Sequence, residues 1–113
     1  MKVAVSAVGP TLDDQVDERF GRAGYFVITD EKGTVVEALN NSKNRNAMQG
    51  AGIASAELVA EHGAEAVVTG HLGPKAFKAL EVAGIPGYSG AGMSVRQAIA
   101  VLMEGTLRKL ETD

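Results

Sequence analysis

Apolar and polar positions divide the chain into short strand-like runs followed by helical ones. Val3-Ala4-Val5-Ser6-Ala7-Val8 is a continuous apolar, β-branched run, the pattern of a buried strand, and Gly9-Pro10 stops it. Thr11 to Arg22 is polar and mixed and predicts a loop with at most a helical turn. Tyr25 to Thr29 and Thr34 to Leu39 are two further strands, and Asp30-Glu31-Lys32-Gly33 between them is a hairpin turn. Asn40 to Asn46 reads as a polar loop. From Gly50 to His62 the spacing of Ile53, Ala56, Val59 and Ala60 predicts a helix that Gly63 ends. Ala66 to Thr69 is a fourth strand. Pro74 opens a second helix, with Ala76, Phe77, Leu80 and Ala83 on its apolar face and Gly84 at its end. Ile85 to Tyr88 is a fifth strand, which Pro86 places at a sheet edge. Ser94-x-x-Gln97 is a capping box. It opens a third helix whose Val95, Ala98, Ile99 and Leu102 share a face, and Gly105 ends it. Thr106 to Asp113 is expected to fray.

The order is βββαβαβα, a hairpin followed by alternating strands and helices. It predicts an α/β fold with a mixed five-stranded sheet covered on both faces. Right-handed crossovers place the first two helices on one face and leave the other to the third. The 113 residues are one domain, 1–113, without linker or repeat. At 45% hydrophobic the chain can bury a core, and with 4% aromatics and no Trp that core must be Val, Ala, Leu and Ile.

Charge and cysteine count exclude several functions. Lys+Arg 11 against Asp+Glu 14 gives a net charge of −3, without the basic excess that gripping nucleic-acid phosphates requires. The absence of Cys rules out disulfides, a thiol nucleophile, a Cys-type zinc site and an iron–sulfur cluster built on thiolates. No apolar run approaches the roughly 20 residues of a membrane span. The chain enters its first strand without a signal-like segment. The expectation is a cytoplasmic protein with neither nucleic acid nor membrane as partner.

In open α/β sheets, ligands bind beyond the carboxyl ends of parallel strands. Three loops qualify: Gly9 to Arg22, Gly70 to Gly73, and Ser89 to Met93. Their glycines let a ligand approach backbone N–H groups, and helix N-termini favour anions. His71, flanked by glycine, can ligate a metal or hold an anion, or simply bond backbone at the surface. His62, in the last turn of a helix, reads as structural. Met93 could be a soft ligand, though methionine more often packs, and Met48 is similar. Arg19, Arg22, Arg45 and Lys75 could ring an anion, whereas Lys43 reads as an ordinary surface charge. Asp13, Asp14, Asp17 and Glu18 read as a solvated surface. Strands one and four carry no carboxylates, so a two-metal nuclease centre is not expected. Ser6, Ser89 and Ser94 lack a nucleophile-elbow context. Gly90-Ala91-Gly92 is not a dinucleotide fingerprint, and there is no P-loop lysine.

One order of motifs carries a family resemblance. It runs from Lys2-Val3-Ala4-Val5 through Arg19-Phe20-Gly21-Arg22-Ala23 and Gly50-x-Gly52. It continues through Gly70-His71-Leu72-Gly73-Pro74-Lys75-Ala76-Phe77 to Gly84-Ile85-Pro86 and Ser94-Val95. Over nearly its whole length the chain resembles the dinitrogenase iron–molybdenum cofactor-binding family, which includes NifX-like and NafY-like accessory proteins. The resemblance implies a ribonuclease H-like three-layer α/β/α fold. It also implies a non-enzymatic binding or carrier module for an anionic metal–sulfur cluster or its precursor, working with cluster-assembly proteins. Nitrogenase accessory members carry His-Phe-Gly where this chain has Arg19-Phe20-Gly21, and the resemblance implies a cluster ligand at that histidine. Arg19 cannot ligate a metal but can pair with an anion. The expected ligand is an iron–molybdenum or related iron–sulfur cluster. Its expected contacts are Arg19, Gly21, Arg22, His71, Gly73, Gly90, Gly92 and Met93, with His71 as the metal ligand. Two other functions fit the same edge: a small enzyme or sensor for a phosphorylated or carboxylated metabolite, and an interaction module without ligand.

Overall fold

The computed structural model describes residues 1–111. The strands are β1 (Val3–Ala7), β2 (Tyr25–Thr29), β3 (Val35–Asn40), β4 (Ala66–Thr69) and β5 (Gly87–Ser89), and the helices are α1 (Ser42–Arg45), α2 (Ala51–Glu61), α3 (Pro74–Val82) and α4 (Val95–Glu104). The strands form one mixed sheet in the order β3-β2-β1-β4-β5. β1 joins its two halves, antiparallel to β2 and parallel to β4, with Val3 opposite both Thr29 and Ala66. Every residue of β1 and β4 is buried, and both therefore read as unbroken apolar runs. β5 lies at the edge, as Pro86 requires, and β3 forms the other edge.

The helices take the faces expected from the crossovers. α2 and α3 pack on each other and on the face that carries Phe26, Ile28 and Val67. α4 covers the opposite face over Val5, Val27 and Val68. No helix among the described residues is long and apolar enough to cross a membrane.

Four local expectations fail, each for a visible reason. The Asn-rich loop contains a helical turn, α1, because Arg45 N–H reaches the Asn41 carbonyl at 2.8 Å and Asn41 is buried against the Ala23 carbonyl at 3.0 Å. The element order is therefore βββααβαβα. Of the face expected on α2, Ala56 and Val59 are buried and Ala60 is half-buried, but Ile53 is exposed and Ala51 and Ser55 are buried in addition. That face has to be small, because a Cβ on Gly52 would lie 3.0 Å from the Ala76 Cβ on α3. Met48 does not pack but is 98% exposed. Finally, residues 106–110 do not fray. Leu110 is buried in the core under α3, and Leu110 N–H donates to the Gly87 carbonyl at 2.8 Å. Residues 112–113 lie outside the described residues.

Candidate functional site

The loop after β1 is fastened to the carboxyl ends of the two central strands. Asp17 N–H donates to the Ser6 carbonyl at 2.8 Å. The Ser6 hydroxyl lies 2.6 Å from the Asp17 carbonyl oxygen and 2.7 Å from Thr69 Oγ1. All three residues are buried. The Asp17 carboxylate then turns the chain by accepting the Arg19 N–H at 3.0 Å and the Arg19 Nε–H at 3.4 Å. Asp17 is thus not the solvated acid that its polar neighbourhood suggests; Asp13 and Glu18 are exposed, and Asp14 accepts the Thr11 N–H at 2.8 Å.

This turn brings Arg19 alongside His71, and the two residues form a parallel β-bridge. The approach is close. A Cβ on Gly70 would sit 2.6 Å from the Glu18 Cα. Beside the bridge opens a groove of about 530 Å³, within the range of small-ligand sites. The loop after β1 contributes Glu18, Arg19, Phe20, Gly21 and Arg22; α2 contributes Ala51 and Gly52; the chain after β4 contributes His71 and Gly73 to Ala76.

Two helices begin at this groove, and neither is capped by a side chain. Gly50 precedes α2 and Gly73 precedes α3, each without a side-chain hydrogen bond to the first turn. α4, which starts elsewhere, has the complete Ser94–Gln97 capping box. The first-turn N–H groups of α2 and α3 have no intrahelical acceptor. Together with the two dipoles they make the groove floor a donor surface for an anion. Arg19, whose side chain is 59% exposed, and Lys75 add formal positive charge.

Arg22 has another task. Its Nη1 donates to the carbonyls of Arg45 at 2.6 Å and Ala47 at 2.7 Å, bracing the segment that leads into α2. Gly90, Gly92 and Met93 are not among the groove walls. Their loop contacts the first loop on the α4 side, where Val16 N–H donates to the Met93 carbonyl at 2.9 Å. Both glycines have local reasons to be there. A Cβ on Gly90 would lie 2.5 Å from Val68 Cγ1, and Gly92 has φ +82. Three loops were expected to converge; the first two share the groove and the third backs it.

Of the walls, sequence reasoning did not single out Glu18, Phe20, Ala51 or Ala76 as contacts. The Gly50-x-Gly52 motif carried the signal for the start of α2. Lys75 stood out only as one charge among several. His62 bonds Glu37 Oε1 through Nδ1 at 2.9 Å, a structural pairing away from the groove.

The model of the family described as dinitrogenase iron-molybdenum cofactor matches residues 1–105. The chain belongs to the dinitrogenase iron–molybdenum cofactor family. The apo form of the orange protein from Desulfovibrio gigas is 40% identical to this chain with a TM-score of 0.91, over 96% of this chain and 92% of that one. A NifB candidate protein from Thermotoga, solved by NMR, is 35% identical with a TM-score of 0.82 over the same shares. An uncharacterized protein of Methanocaldococcus jannaschii is 33% identical over 98% of this chain and 92% of its own length.

The donor set defines what this family member can hold. Among the described residues no group of three or more His, Asp or Glu side chains gathers to bind a bare metal ion. There is no Cys. The groove offers one imidazole, cationic side chains and backbone N–H groups, against a single lining carboxylate, that of Glu18. That set suits an anion assembled before it arrives, and it cannot supply thiolates to build a cluster.

Proposed function

We propose that the protein is a binding or carrier module for an anionic metal–sulfur cluster of the iron–molybdenum cofactor type, or for its precursor. The observation that carries this reading is the meeting of two side-chain-uncapped helix starts with Arg19, Lys75 and His71 on one groove of a net-acidic chain. The family description supports it. So does the structural neighbour called the orange protein, whose structure is of an apo form, the state of a protein that has a bound group to lose.

In this reading the backbone N–H groups at Ala51, Gly52, Lys75 and Ala76 donate to cluster sulfides, Arg19 balances charge and His71 gives one directional bond to a metal. Each exposed helix-terminal contribution is only about 0.3–1 kcal/mol. Several together hold a multiply charged ligand, and the open groove lets it leave. That balance fits a carrier in the cytoplasm that receives its cluster from assembly proteins and surrenders it intact, without catalysis. The same reading takes the layers as ribonuclease H-like, on the strength of an antiparallel β3-β2-β1 half continued by parallel β4 and β5.

Anaerobic titration with tetrathiomolybdate, with isolated iron–molybdenum cofactor and with inorganic phosphate tests the reading. The two metal–sulfur anions should bind one per chain with a shifted visible spectrum, and phosphate more weakly. Tight binding of phosphate with no binding of either metal–sulfur anion would instead favour a metabolite sensor.

A further inference from the structure

Residues 106–111 put a second cavity on the far side of His71. This segment runs antiparallel along the open edge of β5. Ser89 N–H donates to the Arg108 carbonyl at 2.9 Å, Leu110 N–H donates to the Gly87 carbonyl at 2.8 Å, and Tyr88 pairs with Lys109. The pairing fixes where each side chain goes. Tyr88 packs on the α4 side of the sheet, so Lys109 opposite it stands on that side. Leu110 is buried with Leu72, Leu80 and Ile85 on the α2–α3 side. Arg108, two residues earlier, therefore stands on the α2–α3 side as well.

That is the side of the groove. Arg108 is also level with Ser89, the last residue of β5, and so lies at the carboxyl end of the sheet where the groove opens. A cavity of about 450 Å³ there is walled by Gly70, His71 and Leu72 on one bank and by residues 108–111 on the other. His71 lines both cavities. Lys109 is also among the walls of the second cavity, while the face alternation directs its side chain toward the α4 side.

We propose that the two cavities form one anion trough with His71 at its middle and Arg108 as a binding residue at its far end. The trough takes an elongated polyanion, with charge at both ends, in preference to a compact dianion. This inference rests on the reading of the groove as an anion site. Arg108 is suited to the role because its planar guanidinium can donate two parallel hydrogen bonds to an oxyanion or sulfide edge. Glu111, exposed and also among the walls of this cavity, falls by the same alternation on the face of Lys109.

The test compares wild type with Arg108→Gln, Lys109→Gln, Glu111→Gln and Arg19→Gln. Calorimetry at fixed low salt would use tripolyphosphate as the elongated probe and tetrathiomolybdate as the compact one. Arg108→Gln should weaken tripolyphosphate about tenfold and leave tetrathiomolybdate nearly unchanged. Lys109→Gln removes the same charge from the other face and should change either affinity by less than about twofold. Glu111→Gln, on the face of Lys109, should likewise change either affinity by less than about twofold. Equal losses from Arg108→Gln and Lys109→Gln, or no loss from Arg108→Gln while Arg19→Gln weakens both probes, would overturn the trough and leave the groove standing. No binding of either probe to wild type, or no effect of Arg19→Gln on either, would overturn both.

Discussion

Gly21 and Gly52 meet as bare backbone. A Cβ on Gly21 would stand 2.8 Å from both the nitrogen and the Cα of Gly52. This contact carries the loop after β1 onto the first turn of α2, and Gly52 in turn lies against Ala76 of α3. The stack sets both helix starts beside Arg19 and His71. Gly21→Ala should therefore separate loop from helix, costing about 1–3 kcal/mol of stability and weakening tetrathiomolybdate binding. Gly73→Ala is the comparison, because nothing lies within 4 Å of a Cβ there. Its stability should stay within about 0.5 kcal/mol of wild type. Urea unfolding of both variants checks the pair.

Asp17 restrains the charge that the groove presents. Its buried carboxylate accepts two N–H groups of Arg19. Asp17→Asn keeps an oxygen to accept the Arg19 backbone N–H and removes the counter-charge. Binding of tetrathiomolybdate should tighten about threefold, the scale of one partly exposed ion pair. A weaker complex in calorimetry would show that Asp17 serves the ligand by orienting Arg19 rather than by competing for it.

The Arg19–His71 bridge gives two further variants. His71→Ala should weaken the cofactor anion and leave the melting temperature close to wild type, since His71 is exposed. Arg19→His places an imidazole at the position where the family resemblance implies a cluster ligand and should strengthen cluster binding. Titration of the two variants with isolated cofactor decides the matter; equal affinities across wild type and both variants would remove metal ligation from the account.

Leu110→Ala tests the C-terminal segment. A frayed tail would not register the change. The buried contacts with the core under α3 call for a loss of about 2–4 kcal/mol, and a smaller loss in thermal unfolding would undock the segment that carries Arg108.

The apo protein should fold without metal, because its two apolar clusters lie on opposite faces of a complete sheet and neither depends on a ligand. Circular dichroism and melting temperature should not change with a chelator.

These residues also show what a sequence displays and what it hides. β1 and β4 were legible because both faces are covered, which leaves an unbroken apolar run. The capping box of α4 was legible because it is local. The tail was not, because Arg108, Lys109 and Glu111 surround its buried anchor, Leu110, with charge, and the pairing with Gly87 is a long-range contact. Asp17 looked solvated for the same reason: its partners Ser6 and Thr69 lie on distant strands. Ala56 and Val59 on α2 were legible, but Ile53 was wrongly placed on the buried face because close packing on Ala76 selects small residues, which hydrophobic periodicity does not weigh. Among the groove walls, Arg19, Gly21, Arg22, His71 and Gly73 could be read from loops at strand ends and from the family motifs. Gly90, Gly92 and Met93 belonged to a loop of the same kind, and only the strand order and the contact of Gly90 with Val68 put it behind the groove.

The most direct measurement of the central claim is an amide chemical-shift titration of the wild-type protein with tetrathiomolybdate. The account predicts that the largest changes fall on Arg19 to Arg22, Ala51 to Ile53 and His71 to Ala76, with small ones at Gly90 to Met93. Changes concentrated at Gly90 to Met93, or scattered over exposed lysines with no focus at the two helix starts, would contradict it.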